Sequence, residues 1–234
     1  MSFKPLTSWS FSRYSKYTSC PAQFKFNVLM KLPEPKSEAL DRGAKVHDDI
    51  TAFLKGLVRA TPKDLKKFED LARDIKLKAK KTPDKVIIEE DWALRVDWTK
   101  TRWDDWIGCW LRAKVDAAYF VTNDELAVVD WKTGKYRPDR NQEYLEQLEL
   151  YAAIALTLFS DIKDLKVSPR LVYLDTGDVH PAPKIYTSVD MKPLQKTWEK
   201  RVAPMFKDKT FKPKPGNACR WCHYRKSNGG PCEY

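Results

Sequence analysis

No apolar run in this 234-residue sequence approaches the ~20 residues that a membrane-spanning helix needs. The opening Met1-Ser2-Phe3-Lys4-Pro5-Leu6 carries no long apolar segment of the kind that marks a secretory leader, so the cytoplasm is the expected compartment. Negative charge is in short supply: 32 Asp and Glu stand against 43 Lys and Arg, a net +11, which favours a polyanionic partner. The composition of a disordered chain is missing too, because 42% hydrophobic with 32% charged residues is globular. The length suits one domain, or one with a large appendage, and allows a substantial core. With no export signal, the five cysteines argue against a disulfide framework and for free thiols or a metal site.

What is present centres on Val128-Val129-Asp130-Trp131-Lys132-Thr133-Gly134-Lys135. Residues 126–129 read as a buried strand that runs into an acid, one intervening residue, a lysine and a Thr-Gly turn. Side chains alternate along a strand, so Asp130 and Lys132 leave one face about 7 Å apart. Such a pair is either a solvated ion pair or an acid that holds a divalent metal with an amine beside a phosphate. The preceding strand, 112–121, contains Asp116 and is joined to the Asp130 strand by Thr122-Asn123-Asp124, a turn signal that implies an antiparallel hairpin. With Val121 opposite Glu125, Asp116 lies directly opposite Asp130; a two-residue loop would put the acids on opposite faces. Two carboxylates so placed repel unless a cation sits between them.

Upstream, Ser8 or Ser10 fits the cap of a short helix carrying Phe11, Tyr14 and Tyr17, which Pro21 discourages from continuing. Cys20 at that break is a small buried hydrophobe unless partner thiols lie elsewhere. Ser37 fits the cap of a helix to about Leu57 with the stripe Leu40, Gly43, His47, Ile50, Leu54, Leu57. His47 then points inward, as a core histidine with a satisfied hydrogen bond or as a neutral imidazole for a metal. Gly43, one turn earlier, leaves room for another backbone or a ligand. Thr61-Pro62-Lys63-Asp64 starts a helix with Leu65, Phe68, Leu71, Ala72 and Ile75 on one face. Lys63, Lys66, Lys67, Lys76, Lys78, Lys80 and Lys81 on the other are solvated surface or a track for a phosphate backbone.

A strand is expected at 86–90. Before the next one lie Trp92, Trp98, Trp103, Trp106 and Trp110, interleaved with Arg95, Lys100 and Arg102. That pattern suits stacking on unpaired bases or, for at least half of the tryptophans, core filling. Residues 141–159 form a helix with the core stripe Leu145, Leu148, Ala152, Ala155 and Phe159; Gln147 and Tyr151, one turn apart, reach the strand ends or flank the stripe. A strand at 170–174, the turn Asp175-Thr176-Gly177-Asp178, a strand through 184–186 and a helix at 191–201 complete the body. In the tail, Cys219-x-x-Cys222 with Cys232 is a metal-ligand pattern that lacks a fourth ligand. Cys20 is the candidate, with His223 an alternative for zinc, and Cys109 is a buried structural residue. Neither chain end has enough regular structure to dock by burial alone, so a shared cluster would staple the two.

Gly43-x-x-x-His47, Asp116, Asp130-x-Lys132-Thr133-Gly134 and Gln147-x-x-x-Tyr151 resemble, in order, the motifs of RecB-like nucleases of the PD-(D/E)XK superfamily. The cysteines, one early in Cys20-Pro21 and three late, resemble the iron–sulfur branch of AddB-type nucleases, CRISPR-associated RecB-like exonucleases and stand-alone phage enzymes. The resemblance covers about residues 10–234, with Ala113 where the family often has glycine. It implies an α/β fold of the restriction-endonuclease type, a mixed sheet flanked by helices, as one domain over 1–234. Residues 1–35 and 205–234 would together form a cysteine-cluster subdomain, with 92–110 a Trp-rich insertion. His47, Asp116, Asp130 and the Trp131 carbonyl would bind Mg2+ or Mn2+. Lys132 would orient water or offset transition-state charge, and Gln147 and Tyr151 would position the substrate strand and the metal site. Cys20, Cys219, Cys222 and Cys232 would hold a 4Fe-4S cluster, with Zn2+ the alternative. The implied activity is exonucleolytic cleavage of DNA, single-stranded or with free ends, and no membrane partner. The alternative, a nucleic-acid-binding module with a degenerate site and a zinc-bound tail, is disfavoured because every expected catalytic residue is present.

Overall fold

Segments with period-two alternation, or with short apolar runs between turn signals, become strands in the computed structural model, which describes residues 6–35 and 37–234. The strands are β1 Val86–Leu94, β2 Leu111–Phe120, β3 Glu125–Lys132, β4 Lys166–Tyr173, β5 Asp178–Pro181 and β6 Tyr186–Thr187. The helices are α1 Phe11–Ser19, α2 Pro21–Phe24, α3 Glu38–Leu54, α4 Glu69–Lys81, α5 Asn141–Leu158 and α6 Ser188–Lys207. The sheet order is β1-β2-β3-β4-β5, with β6 also beside β4. Among the described strands, only β3 and β4 pair in parallel, beside an isolated parallel bridge from Trp9 to Leu111. A parallel pair needs a crossover connection, and α5 supplies it.

Alternation along the central strands divides two cores. Ala117, Ala127, Val129 and Trp131 pack with Val46, Ile50, Phe53 of α3 and Ala72, Ile75 of α4. Ala118, Phe120, Leu126 and Val128 pack with α5, α6 and the N-terminal segment. The result is an α/β fold, a mixed sheet with helices on both faces, as expected. Because α5 is covered by both the sheet and α6, it is buried on all sides from Leu150 to Leu156. This explains why its expected end positions, Leu145 and Phe159, are only half-buried.

Several local expectations are corrected. Ser37 stands at the cap of α3, but its hydroxyl makes no capping bond. The stripe of α3 is Val46, Ile50, Phe53 and Leu54; Leu40 and Leu57 are 72% and 77% exposed. The first turn of α3 projects into solvent, and Gly56 at φ +76° turns the chain before Leu57. Helix α1 ends at Ser19 with Cys20 extended before Pro21, as expected, but helicity resumes at once: Pro21 opens α2 at the first helical position, where its missing N–H is no loss, and Lys25–Leu29 follows as a π turn. Lys63–Phe68 is a 3-10 turn ahead of α4. The single strand expected through 184–186 resolves into β5 and β6. The last helix is longer at both ends than 191–201, started by a Thr187/Asp190 capping box and passing through exposed Pro193 and Pro204.

The chain ends dock through burial, contrary to expectation. Trp9 is fully buried, donates its N–H to Trp110 O at 2.7 Å and accepts from Arg112 N at 2.9 Å. Its indole stacks on Trp198 with centroids 5.4 Å apart. Phe24 stacks on Phe211 at 6.0 Å, and Tyr17 OH donates to Asp208 Oδ2 at 3.0 Å. Aromatics carried on α1, α2 and α6, together with Trp9 and Phe211 in the flanking segments, supply the apolar area that holds the ends.

Candidate active site at the end of β2 and β3

The β2–β3 ladder runs from Phe120↔Leu126 to Ala117↔Val129. At the turn, Val121 N donates to Glu125 O at 2.8 Å, so the same register continued places Asp116 opposite Asp130. The ladder stops there. In its place the Asp116 side chain reaches across, and its Oδ2 accepts from Trp131 N at 2.9 Å. Lys132 O accepts from Leu174 N across β4, so Lys132 faces β4 and its neighbour Trp131 presents its N–H and carbonyl towards β2. The Trp131 indole lies on the opposite side of the site, buried in the α3–α4 core.

The two helical layers close on this opening. From α3, His47 Nδ1 lies 3.1 Å from Asp116 Oδ1. From α5, Tyr151 OH donates to Asp130 Oδ1 at 2.8 Å and Gln147 Nε2 donates to the same atom at 3.1 Å. Lys132 Nζ sits 2.6 Å from Asp130 Oδ2 and donates to Gln147 Oε1 at 3.2 Å. Asp130 Oδ2 is buried, and the Lys132 ammonium is the contact it has among the described residues. Gly43 faces the Thr133 hydroxyl, where an added Cβ would stand 3.7 Å away, an ordinary contact. His47, Asp116, Asp130, Trp131, Lys132, Gln147 and Tyr151 thus share one locus.

Electrostatics follow from burial of two acids. Burial pushes Asp116 above the usual carboxylate range; Asp130 pushes it the same way, while His47 and the Trp131 N–H pull it down. The hydrogen bond to Asp116 raises His47, against its own burial. Burial opposes the charge on Lys132, yet Asp130 and then Asp116 hold the ammonium above its ordinary value. Burial and the two acids drive Tyr151 well upward, so it stays a protonated donor.

Among the described residues, no three His, Cys, Asp or Glu side chains are already closed on one metal position. Here that reflects mutual engagement: His47 is turned to Asp116, and Lys132 occupies Asp130 Oδ2. The donor set still fits a hard divalent cation. It offers two carboxylates, an imidazole, a carbonyl on the same side as Trp131 N–H, and a buried carboxylate oxygen whose one partner is a cation.

Cys20, Cys219, Cys222 and Cys232 line one small apolar cavity and are free thiols. Lys214 N donates to Cys20 Sγ at 3.5 Å and Gly216 N to Cys219 Sγ at 3.4 Å, which suits thiolate ligands. Burial pushes the Cys222 thiol up, the Tyr224 amide pulls it down, and Cys20, Cys232 and Cys219 push it up as like charges. Among the described residues, these four thiols share the cavity but, like the carboxylates, are not closed on one metal position. His223 does not line it, and Cys109 is buried as expected.

Of the Trp-rich stretch, Trp92 belongs to β1, and Trp92 and Trp98 fill the core. Arg95 and Arg102, expected beside stacked bases, are held instead by Asp105 and Asp104. Glu89 escaped the sequence reading. By register it faces Asp116 from β1, takes the left-handed φ of 50°, pairs with Lys114 and accepts from Thr51 Oγ1 at 3.4 Å. A strained non-glycine residue of this kind clusters at functional sites, and no sequence signal marks it. A cleft of about 690 Å³ between α3 and α4, lined by Phe53, Arg59, Lys76 and Lys80 among others, lies away from the carboxylates.

The profile of the PD-(D/E)XK nuclease superfamily matches residues 8–227, and the chain belongs to that superfamily. No curated protein matches it. Among solved structures, it is similar to the protein SSO0001, with 13% identity over 99% of this chain and 89% of that one, at a TM-score of 0.43. It is also similar to a Eubacterium rectale protein named "Putative exonuclease", with 14% identity over 94% of this chain and 88% of that one, at a TM-score of 0.49. Neither likeness carries an argument about activity.

Proposed function

We propose that the protein is a Mg2+- or Mn2+-dependent DNA nuclease, acting as an exonuclease on single strands or strand ends. The observation that carries this reading is the Asp116–Asp130 pair at the strand ends, with His47, Lys132 and the Trp131 carbonyl converging on it. Asp116, Asp130, His47 and the Trp131 carbonyl would hold the ion, a donor set that suits either metal, Mn2+ tolerating the imidazole better. Bound there, the ion supplies Lewis acidity for attack of water on phosphorus. Gln147 and Tyr151 fix Asp130 Oδ1 and leave Oδ2 as its exchangeable oxygen. The Lys132 ammonium is placed to offset the charge that gathers on the phosphate oxygens as the water O–P bond forms and the 3′ or 5′ ester bond breaks. The net charge of +11 supports a polyanionic substrate.

Cys20, Cys219, Cys222 and Cys232 are assigned to a 4Fe-4S cluster, with zinc the alternative metal. Residues 6–35 and 205–234 then form its subdomain within a single domain, residues 1–5 of the expected range lying outside the described residues. The test of the activity is incubation of single-stranded DNA, labelled at either end, beside a circular single strand, with Mg2+, Mn2+ or EDTA. Cation-dependent loss of the linear strand with survival of the circle is expected. Cleavage of the circle would reject the exonuclease, and no cation-dependent cutting of any DNA would reject the nuclease reading.

A further inference from the structure

Beside the carboxylates lies a cavity of about 300 Å³ whose wall includes Gln147 and Tyr151 on one side and Ser10, Ser12, Arg112 and Lys114 on the other. Lys114 is neutralised by Glu89. Arg112 is not neutralised. Its Nη1 donates to Ser8 Oγ at 2.5 Å and its Nε to Trp103 O at 3.1 Å, while Nη2 is withdrawn from solvent with no partner. Arg13 of α1 converges on the same hydroxyl: its Nη1 donates to Ser8 Oγ at 3.2 Å and to Ser8 O at 3.0 Å. Two permanently charged guanidinium groups thus share one neutral, buried serine, and among the described residues no carboxylate pairs with either. Arg140 and Arg201, by contrast, are matched by Glu143 and Glu149.

Like charges this close, partly out of water, repel, and burial followed by Arg112 lowers the Arg13 pKa accordingly. The arrangement has a use if an anion enters the cavity. Guanidinium groups match phosphate in a bidentate manner, and the Ser10 and Ser12 hydroxyls, 3.0 Å apart at the start of α1, add donors. The Arg112 guanidinium is held over the Trp103 and Trp106 rings, at 5.7 and 5.1 Å, which fixes its plane.

We propose that this cavity is a phosphate subsite, in which Arg112 on its wall, with the charge of Arg13 behind it on Ser8, holds one phosphate of the strand whose scissile linkage lies at Asp116 and Asp130. The inference rests on the nuclease reading for its substrate. The occupant is either a backbone phosphodiester or a terminal 5′-phosphate, a shared chemistry with two sources.

The test measures binding separately from cutting. In an Asp130→Asn background, the affinity for a single-stranded oligonucleotide is followed by anisotropy across a salt series, with 5′-phosphate and 5′-hydroxyl versions. Arg112→Gln should weaken binding about tenfold or more and reduce the slope of log affinity against log salt by about 0.7, the value for one phosphate contact on a single strand. Arg112→Lys should restore most of the slope, which a merely structural role of the side chain would not predict. A loss confined to the 5′-phosphorylated strand assigns the subsite to strand ends, and an equal loss with both assigns it to the backbone. Arg13→Gln, checked for an unchanged melting curve, repeats the measurement if Arg112→Gln does not fold. An unchanged slope in a folded variant overturns the subsite and leaves the nuclease reading standing. A slope that falls in a protein that never cuts DNA leaves the subsite standing and rejects the nuclease.

Discussion

Replacing Lys132 with methionine separates the two things its ammonium does. Among the described residues it is the one cation in contact with Asp130 Oδ2, at 2.6 Å, with the Lys132 side chain 28% and the Asp130 side chain 7% exposed. Methionine keeps the stem and removes the charge, leaving a buried carboxylate held at Oδ1 alone by Tyr151 and Gln147. Breaking a buried pair from one side costs about 3–5 kcal/mol; the remaining bonds and the partial exposure of Lys132 place this case near 3. For a chain of this size that is a fall in Tm of roughly 6–12 °C in EDTA. A divalent cation then no longer competes with the ammonium, so Mg2+ or Mn2+ should raise the Tm of Lys132→Met more than that of the wild type. At a hundredfold excess over Kd the gain is about 2.7 kcal/mol. The double variant Lys132→Met/Asp130→Asn should recover stability in EDTA, because no charge is left unpaired. Cleavage by Lys132→Met should fall about a hundredfold or more. Differential scanning fluorimetry with and without cation reads the outcome. Wild-type melting of Lys132→Met in EDTA, or a double variant no more stable than the single, would refute the reasoning.

Cys20→Ser should lower Tm in metal-loaded protein and abolish visible absorbance after anaerobic purification; colourless wild-type protein with stoichiometric zinc would reject iron–sulfur and keep the shared site. Trp9→Ala should cost about 3–5 kcal/mol, since the indole is fully buried against Trp198, and equilibrium denaturation with a loss under 1 kcal/mol would contradict the docking described for the N-terminal segment. Hydrogen bonds from Thr61, then Arg73 and Lys66, hold Glu69 near pKa 2, below its ordinary 4.5. Its stabilisation is therefore complete above about pH 4.5 and lost as pH falls through about 2; the Tm gap between wild type and Glu69→Gln should close over that window, and a gap that widened there would contradict the sign.

The central strands were legible from the period-two pattern of residues 111–132 and the Thr122-Asn123-Asp124 turn, but that turn left two registers open, and the Val121–Glu125 bond selects the one with Asp116 opposite Asp130. The site was legible because its acids, lysine, glutamine and tyrosine fall at fixed offsets on that hairpin and on the following helix. Three things were not. The true stripe of α3 depends on where the helix ends relative to the sheet, which periodicity alone does not encode. The packing of Trp9 and Phe24 depends on Trp198 and Phe211, partners too distant for any local window. Glu89 and the Arg13–Arg112 pair have ordinary identities, and only their surroundings, a left-handed backbone and a missing counter-charge, set them apart.

The docking of the first helices against the last has a consequence for synthesis. Tyr17 meets Asp208 only 191 positions later, and Asn27 meets Tyr224 after 197. At about 5–20 residues per second, the early aromatics wait roughly 10–40 s for the residues that cover them. The central hairpin can pair during that interval, whereas Trp9 and Phe24 stay uncovered and available to chaperones. Cys20 likewise shares its cavity with Cys219, Cys222 and Cys232 only once those late residues have been made, when the sheet can already be in place.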